Sequence, residues 1–304
     1  MNTEAIDLER RGFIRAIRKT KPHSFFRYIV VATLAITLPT SALGQAQWNI
    51  LPMSHEDTEE VTRGVTLRHI VFALGDRKRI EGDILTIAPG VYSAKAFTQP
   101  AKHEHAWKTL AQICEDSGAD CGINGGFFDQ KTYKPIGVCV VDGQYLSEIP
   151  NEHRLGCVTV DSTGGIDVLW AKDFIKKDIS SGKITSLISS GPFIINPGGC
   201  EGIKEGDKTY DRRSIIGKAG TELFIFCTTA AYLKDLSNCL YQNRNKLLDL
   251  PIDSALNLDG GYRLAFSIKG KDGWKHDVNS TGEGLWSGAP RNGFIFFFKR
   301  APTP

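Results

Sequence analysis

The sequence predicts an α+β fold, a mostly antiparallel sheet with helices packed on one side, in a single domain. Three observations carry this. Short runs rich in β-branched and aromatic residues recur through residues 47–304, turn signals bearing Gly and Asp separate them, and only two stretches have helical periodicity.

In chain order, the first strands are expected at 65–73 (VTLRHIVFA) and 83–87 (DILTI). A helix is expected over 106–114, where Trp107, Leu110, Ala111 and Cys114 share one face. It leads into a short apolar strand that ends in the loop Asn124-Gly125-Gly126. Strands at 137–141, 157–160 and 166–169 are separated by Asp142-Gly143 and by the turn 161–165 (DSTGG), as hairpins require. A strand at 223–227 precedes the second helix, 231–248, which has Leu233, Leu236, Leu240 and Leu247 at helical intervals and Pro251 as its stop. The strand at 255–258 again runs into a glycine pair, Gly260-Gly261. Strands at 263–268 and 293–298 complete the set, with Asp272-Gly273 marking a turn between them.

Residues 1–46 read as a separate segment. A basic stretch precedes the apolar run 28–38 (YIVVATLAITL), which is followed by Pro39 and small residues. That is the order of a secretory signal peptide, with cleavage after Gly44 or Ala46. The run is shorter than the roughly 20 residues that span a bilayer, so membrane contact is expected only through this segment if it stays uncleaved. Arg10-Arg11-Gly12-Phe13-Ile14-Arg15 resembles the twin-arginine export motif; a long basic leader for the general route is the alternative. Both routes place the mature chain, 47–304, in the periplasm or outside the cell.

The formal net charge of +3 resides in that leader. Seven basic and three acidic side chains lie in 1–46, which leaves 30 basic against 31 acidic in the rest. A body without basic bias argues against a nucleic-acid partner. All seven cysteines fall in 47–304. In an exported chain six can form three disulfides, and Cys114–Cys121, flanking a helix-to-strand turn, is the expected pair; buried free thiols are the alternative.

Chemistry concentrates at four glycine-bearing segments: Asn124-Gly125-Gly126-Phe127-Phe128-Asp129, Ser190-Gly191-Pro192, Arg213-Ser214-Ile215-Ile216-Gly217 and Asn257-Leu258-Asp259-Gly260-Gly261. Glycines at strand ends allow close backbone approach and present the flanking polar side chains at a rim. Taken singly, each also reads as a plain turn. His103-Glu104-His105 has no third metal ligand at a fitting spacing and reads as a solvated loop, so no metal and no cofactor is expected. Nucleophile-elbow, phosphate-loop and dinucleotide-binding motifs are absent from the sequence. Trp170, Trp274 and Trp286 offer faces for sugar stacking or for core packing.

In their order, these segments resemble the phosphodiester glycosidase family. Its pattern runs Asn-Gly-Gly-x-Phe, Pro-x-Gly (here Pro135-Ile136-Gly137), Ser/Gly-Gly-Pro, Arg-Thr/Ser-x-x-Gly and Leu-Asp-Gly-Gly, and the resemblance covers roughly 60–300. One departure stands out: where the family continues with Gly or Pro and then Ser, this chain has Tyr262-Arg263. The resemblance implies an exported hydrolase that cleaves the anomeric C–O bond of a sugar-1-phosphodiester, with a glycan or sugar phosphate as partner. A non-catalytic carbohydrate-binding or envelope-assembly protein on the same fold is the alternative. Asp259, with Asp129 as second choice, is the expected catalytic carboxylate, and Arg213 the expected phosphate binder, helped by Arg212 and Arg263. Asn124 and Asn257 are expected to orient sugar hydroxyls or water. Gly125, Gly126, Gly191, Gly260 and Gly261 are expected to line the substrate.

Overall fold

The computed structural model describes residues 47–51, 58–75, 78–100, 107–147, 156–173, 176–206, 208–270, 273–275 and 289–299. The leader 1–46, His103-Glu104-His105 and Trp286 lie outside the described residues.

The described chain begins with strands β1 (Asn49–Ile50), β2 (Thr58–Thr62), β3 (Val65–Leu74), β4 (Lys78–Ile87) and β5 (Tyr92–Thr98). Helix α1 (Leu110–Ser117) leads into β6 (Cys121–Asn124), followed by β7 (Cys139–Val141), β8 (Gln144–Ser147), β9 (Gly156–Asp161) and β10 (Ile166–Trp170). Helix α2 (Lys176–Ser180) precedes β11 (Ile184–Ser190), β12 (Phe193–Asn196), β13 (Cys200–Glu201), β14 (Asp211–Ala219) and β15 (Glu222–Ala231). Helix α3 (Leu233–Asn243) precedes β16 (Ile252–Asn257), β17 (Phe266–Gly270), β18 (Gly273–Lys275) and β19 (Asn292–Phe298).

These strands form three antiparallel sheets. The largest runs β1-β3-β4-β15-β14-β16-β12-β13, with β2 also on β3; the others run β10-β9-β11-β7-β8 and β18-β17-β6-β19-β5. In the third sheet β19 inserts between β6 and β5, pairing Gly293 with Asn124 on one side and with Phe97 on the other. Period-2 alternation sends successive side chains to opposite faces, and one apolar face of each sheet turns inward. The three faces meet in a shared core that takes Leu67, Leu85, Ile216 and Leu256 from the first sheet, Val158 and Ile188 from the second, and Ile123, Phe266 and Phe294 from the third.

The expected α+β arrangement, one sheet with helices on one side, is therefore corrected: the protein is mostly β, with a curled half-barrel sheet. Its helices are short and cover different sheets. Helix α1 packs Leu110 and Cys114 against Ala265 and Ile295 of the third sheet. Helix α3 packs Leu236, Cys239 and Leu240 against Phe224, Phe226 and Ile194 on the outer face of the first. Helix α2 contributes Ile179 beside Val140 and Leu187 of the second. Both expected helices exist, the first shifted to Leu110–Ser117 from the expected 106–114 and the second shorter than the expected 231–248. Thr109 caps α1 in a reciprocal box with Gln112, which leaves Trp107 ahead of the helix. Helix α3 ends at Asn243, well before Pro251.

The expected Cys114–Cys121 disulfide is not formed, and all seven cysteines are free thiols here. Cys114 packs its sulfur against Gly122, whereas Cys121, one residue earlier on the strand, faces the shared core. Successive strand residues point to opposite faces, so the helix thiol meets the wrong side of β6.

Candidate active site

Strands β6 and β16 each end on a buried Asn that leads into a glycine loop, and backbone hydrogen bonds join the two loops. Asp259 N–H donates to the Gly125 carbonyl at 2.9 Å. The Asn124 side chain is the second tie: Nδ2 donates to the Asp259 carbonyl at 2.6 Å and Oδ1 accepts from Ala265 N–H at 3.1 Å. At 1% exposure, Asn124 works as a staple between segments 135 residues apart. Gly126 lies flat against β11, and a Cβ there would collide with the Ser189 carbonyl oxygen.

Asn257 makes the corresponding ties to the next segment. Its N–H donates to the Pro192 carbonyl at 3.0 Å and its Nδ2 to the Gly191 carbonyl at 3.1 Å. Ser190 Oγ donates to the Asn257 carbonyl at 2.8 Å. The Gly191–Pro192 peptide is cis.

Strand β14 brings in the arginine segment. Leu258 N–H donates to the Ser214 carbonyl at 2.8 Å, and Gly260 rests against the Arg212 carbonyl. Gly261 has φ +62°, a left-handed conformation that suits glycine, and a Cβ there would lie 2.5 Å from Asp211 Oδ2. The segments of Asn124, Arg213, Gly191 and Asp259 thus meet at one end of the first sheet.

Within this cluster Asp259 is half-buried, and its Oδ1 accepts the Gly260 N–H at 2.9 Å. Burial pushes its carboxyl from the ordinary 3.8 up to about 6; Asp211 adds to the rise, while the Gly260 N–H and the Arg263 charge oppose it. Asp129 stands apart: it is exposed, and its Oδ1 accepts Thr132 N–H at 2.7 Å, Thr132 Oγ1–H at 2.8 Å and Lys131 N–H at 3.1 Å. Those bonds hold its carboxyl below the usual range and make it the cap of a turn.

Two of the buried arginines, Arg213 and Arg263, are held differently. Arg213 donates Nε–H to the Ala231 carbonyl at 3.0 Å and Nη2–H to the Thr209 carbonyl. Arg263 lies in a 3₁₀ turn, Gly261–Arg263, where a strand was expected from its position. Its guanidinium sits 5.5 Å from the Trp107 ring centroid, 5.2 Å from Phe128 and 4.4 Å from Tyr262. Trp107 and Phe128 meet edge to face, and Tyr133 joins them.

Several of these residues escaped the sequence reading. Asp211 precedes Arg213 by two, a strand spacing that was a usable signal. Trp107 fell inside the expected helix. Arg291 and Asn292 gave no local signal, because only the pairing of β19 with β6 brings them to Gly125, whose N–H donates to the Asn292 carbonyl at 2.8 Å. Arg291 is buried and donates Nε–H to the Tyr133 carbonyl at 2.9 Å. A separate cleft of about 570 Å³ opens near the other end of β14, beside Lys218 and Gly220, and is lined also by Tyr92, Asp161, Asp167 and Lys299. Another buried acid, Asp83 on β4, lies 2.9 Å from His69 Nδ1 and is pushed up to about 6 by burial.

The phosphodiester glycosidase family model matches residues 117–293, which includes all four glycine-bearing segments. No curated protein matches the chain. Among solved structures, a hypothetical protein from Synechocystis is 13% identical with a TM-score of 0.55, over 79% of this chain; the chain spans 63% of that protein's length. The catalytic domain of zebrafish N-acetylglucosamine-1-phosphodiester alpha-N-acetylglucosaminidase, auto-inhibited by its pro-peptide, is 14% identical with a TM-score of 0.52, over 84% of this chain and 89% of that one. At these identities the structural likeness speaks for the fold.

Proposed function

The chain belongs to the phosphodiester glycosidase family, and from that membership we propose that it is an exported hydrolase of sugar-1-phosphodiesters, acting on a glycan or sugar-phosphate substrate. The observation that carries the reading is the convergence of a half-buried carboxyl, Asp259, with buried arginines where two glycine loops are stapled together.

In the proposed reaction, water attacks the anomeric carbon and the anomeric C–O bond breaks. The bonding pair leaves on the phosphate oxygen, and the products are a free sugar and a phosphomonoester. Asp259 takes the proton from the attacking water as general base. With its carboxyl near 6, it is ionised at neutral pH yet basic enough to accept that proton. Phosphate is a much less basic leaving group than a sugar alcohol, so permanent positive charge from Arg213 and Arg263 does the work that a general acid does in an ordinary glycosidase. Asn124 and Asn257 fix the loops through backbone contacts, which makes them positioning residues in this reading. Gly125, Gly126, Gly191, Gly260 and Gly261 let main chains approach closely.

The test is release of free sugar from aryl and nucleotide-linked sugar-1-phosphodiesters. Wild type is expected to release sugar with kcat/KM rising through pH about 6 as Asp259 ionises, and Asp259→Asn is expected to be inactive while folded. Full activity in that variant refutes the assignment. Three exposed tyrosines, Tyr210, Tyr232 and Tyr262, favour the second reading, a carbohydrate-binding protein without turnover. Calorimetry showing glycan binding by a wild type that cleaves none of these substrates would support it.

A further inference from the structure

Beside the Asp259 loop, the first sheet ends in a pair of exposed tyrosines. The last pair between β14 and β15 is Asp211 with Ala231, and the residues just beyond it are Tyr210 and Tyr232. Their ring centroids lie 5.1 Å apart with the planes tilted by 51°. At that tilt the rings touch without covering each other: Tyr210 is 60% exposed and Tyr232 39%. Among the described residues, neither ring packs into the hydrophobic cores of the sheets. Tyr232 stands at the N-terminal cap of α3, yet its side chain makes no capping bond.

The pair lies at the candidate site's end of the sheet. β14 runs antiparallel to β16, so the start of β14 and the Asp259 loop share one edge of the fold. Asp211, the residue after Tyr210, lies against Gly261, and Gly260 rests on the Arg212 carbonyl. Tyr262 follows Gly261 and is 61% exposed, with the Arg263 guanidinium 4.4 Å from its ring. Three of the six large apolar side chains exposed among the described residues therefore fall in these two adjoining segments, and all three are tyrosines.

That chemistry selects the ligand. An exposed aromatic patch signals a binding surface, and a phenol offers an apolar face with a polar tip. A pyranose ring is its complement: the C–H groups of one face lie on the aromatic ring, and the hydroxyls around the rim stay in water or meet the phenol oxygen. A lipid surface or a dry protein interface calls for aliphatic side chains that these segments do not expose. Residues 47–304 carry 30 basic against 31 acidic groups, a balance unsuited to a nucleic acid.

We propose that Tyr210 and Tyr232 form a sugar-stacking subsite beside the Asp259 loop, which makes the substrate class an oligosaccharide bearing the phosphodiester, held by a pyranose ring that takes no part in bond cleavage. The proposal rests on the hydrolase reading for the reacting end of that substrate; glycan binding by the tyrosine pair is independent of turnover.

The experiment compares full-length wild type with the double variants Tyr210→Ala/Tyr232→Ala and Tyr210→Phe/Tyr232→Phe. Both positions are exposed, so melting curves should match. Calorimetry at pH 7 uses cellotetraose, maltotetraose and chitotetraose beside glucose and N-acetylglucosamine. Wild type should bind at least one tetrasaccharide roughly tenfold or more tightly than its monosaccharide. The alanine variant should lose that advantage, and the phenylalanine variant, which keeps both rings, should retain most of it. In turnover, the alanine variant should raise KM about tenfold on a tetrasaccharide-1-phosphodiester with kcat unchanged, and leave the monosaccharide diester unaffected, the signature of lost uniform binding. Failure of wild type to bind any tetrasaccharide, or equal binding by the alanine variant, overturns the proposal. So does preferential binding of uridine or adenosine, which marks a nucleobase shelf, or a dimer in sedimentation that the alanine variant dissolves, which marks a contact with a second copy. A wild type that binds a tetrasaccharide through these rings but cleaves neither diester defeats the hydrolase reading and leaves the subsite standing.

Discussion

Replacing Asp259 by Asn should stabilise the protein at alkaline pH while removing the hydrolase activity proposed for it. The carboxyl is pushed from 3.8 to about 6 because burial disfavours its charged form more than Arg263 and the Gly260 N–H favour it. At 1.36 kcal/mol per pKa unit, that displacement makes the ionised group cost the native state about 3 kcal/mol as an upper bound. Between 3.8 and about 6 the native protein binds more protons than the unfolded chain, so the wild type gains stability as pH falls through this window. The penalty is complete above about 6 and gone near 4. Asn keeps an acceptor for the Gly260 N–H and carries no charge. Urea unfolding of both proteins at pH 4, 6 and 8 should therefore show a gain of up to about 3 kcal/mol at pH 8 that vanishes at pH 4. Asp83 titrates near the same pH but is common to both proteins and drops out of the difference. A variant no more stable than wild type at pH 8, or equally stabilised at pH 4 and 8, would refute the argument. The expected trade of stability for activity is typical of functional sites.

Other substitutions test the scaffold around that carboxyl. Gly126→Ala forces a methyl into the Ser189 carbonyl and should lower stability by about 2 kcal/mol or more in urea unfolding, with the proposed activity falling too; a neutral result would mean that the Gly126 loop does not pack against β11. Asn124→Ala leaves the Ala265 N–H and the Asp259 carbonyl unpaired, and should lower stability by roughly 2–4 kcal/mol at every pH, in contrast to the pH-dependent effect at Asp259. Thiol titration should find one reactive cysteine in the native protein, Cys200, and the other six only after denaturation. Burial pushes Cys139 up to about 11 and Cys114 and Cys157 up to about 12, so these thiols stay protonated and inert. A melting temperature lowered by reducing agent would contradict the free-thiol assignment.

Much of the local structure was legible in the sequence. Runs such as 65–73 and 223–227 announce themselves as strands through their own composition, and β3 and β15 include them. The leucine spacing after Tyr232 announces α3 in the same way. The division into three sheets was not legible, because pairing partners lie far apart along the chain. The same limit explains Cys114–Cys121: proximity in sequence suggested a bridge, and the alternation of β6 places the sulfurs on opposite faces. At the candidate site, the motifs located Asn124, Gly191 and Asp259, whose segments the fold joins by backbone hydrogen bonds. They did not show that Asp129 caps a turn, that Arg213 is tied to main-chain carbonyls, or that Arg263 sits among three rings. Each of those facts depends on contacts with the chain around the motif or far from it.

The insertion of β19 between β5 and β6 has a consequence in time. The strand bearing Asn124 and the loop of Gly125 have their neighbour on one side only once residues 292–298 exist as chain. A ribosome that has made the first 270 residues has already produced every glycine-bearing segment, yet β6 still lacks the strand that seats its loop. The third sheet can close only when β19 slips between β6, made some 170 residues earlier, and β5, made some 200 residues earlier, a high-contact-order step that favours slow, late folding. A chain interrupted before β19 would carry all four glycine-bearing segments while the loop of Gly125 stayed unseated.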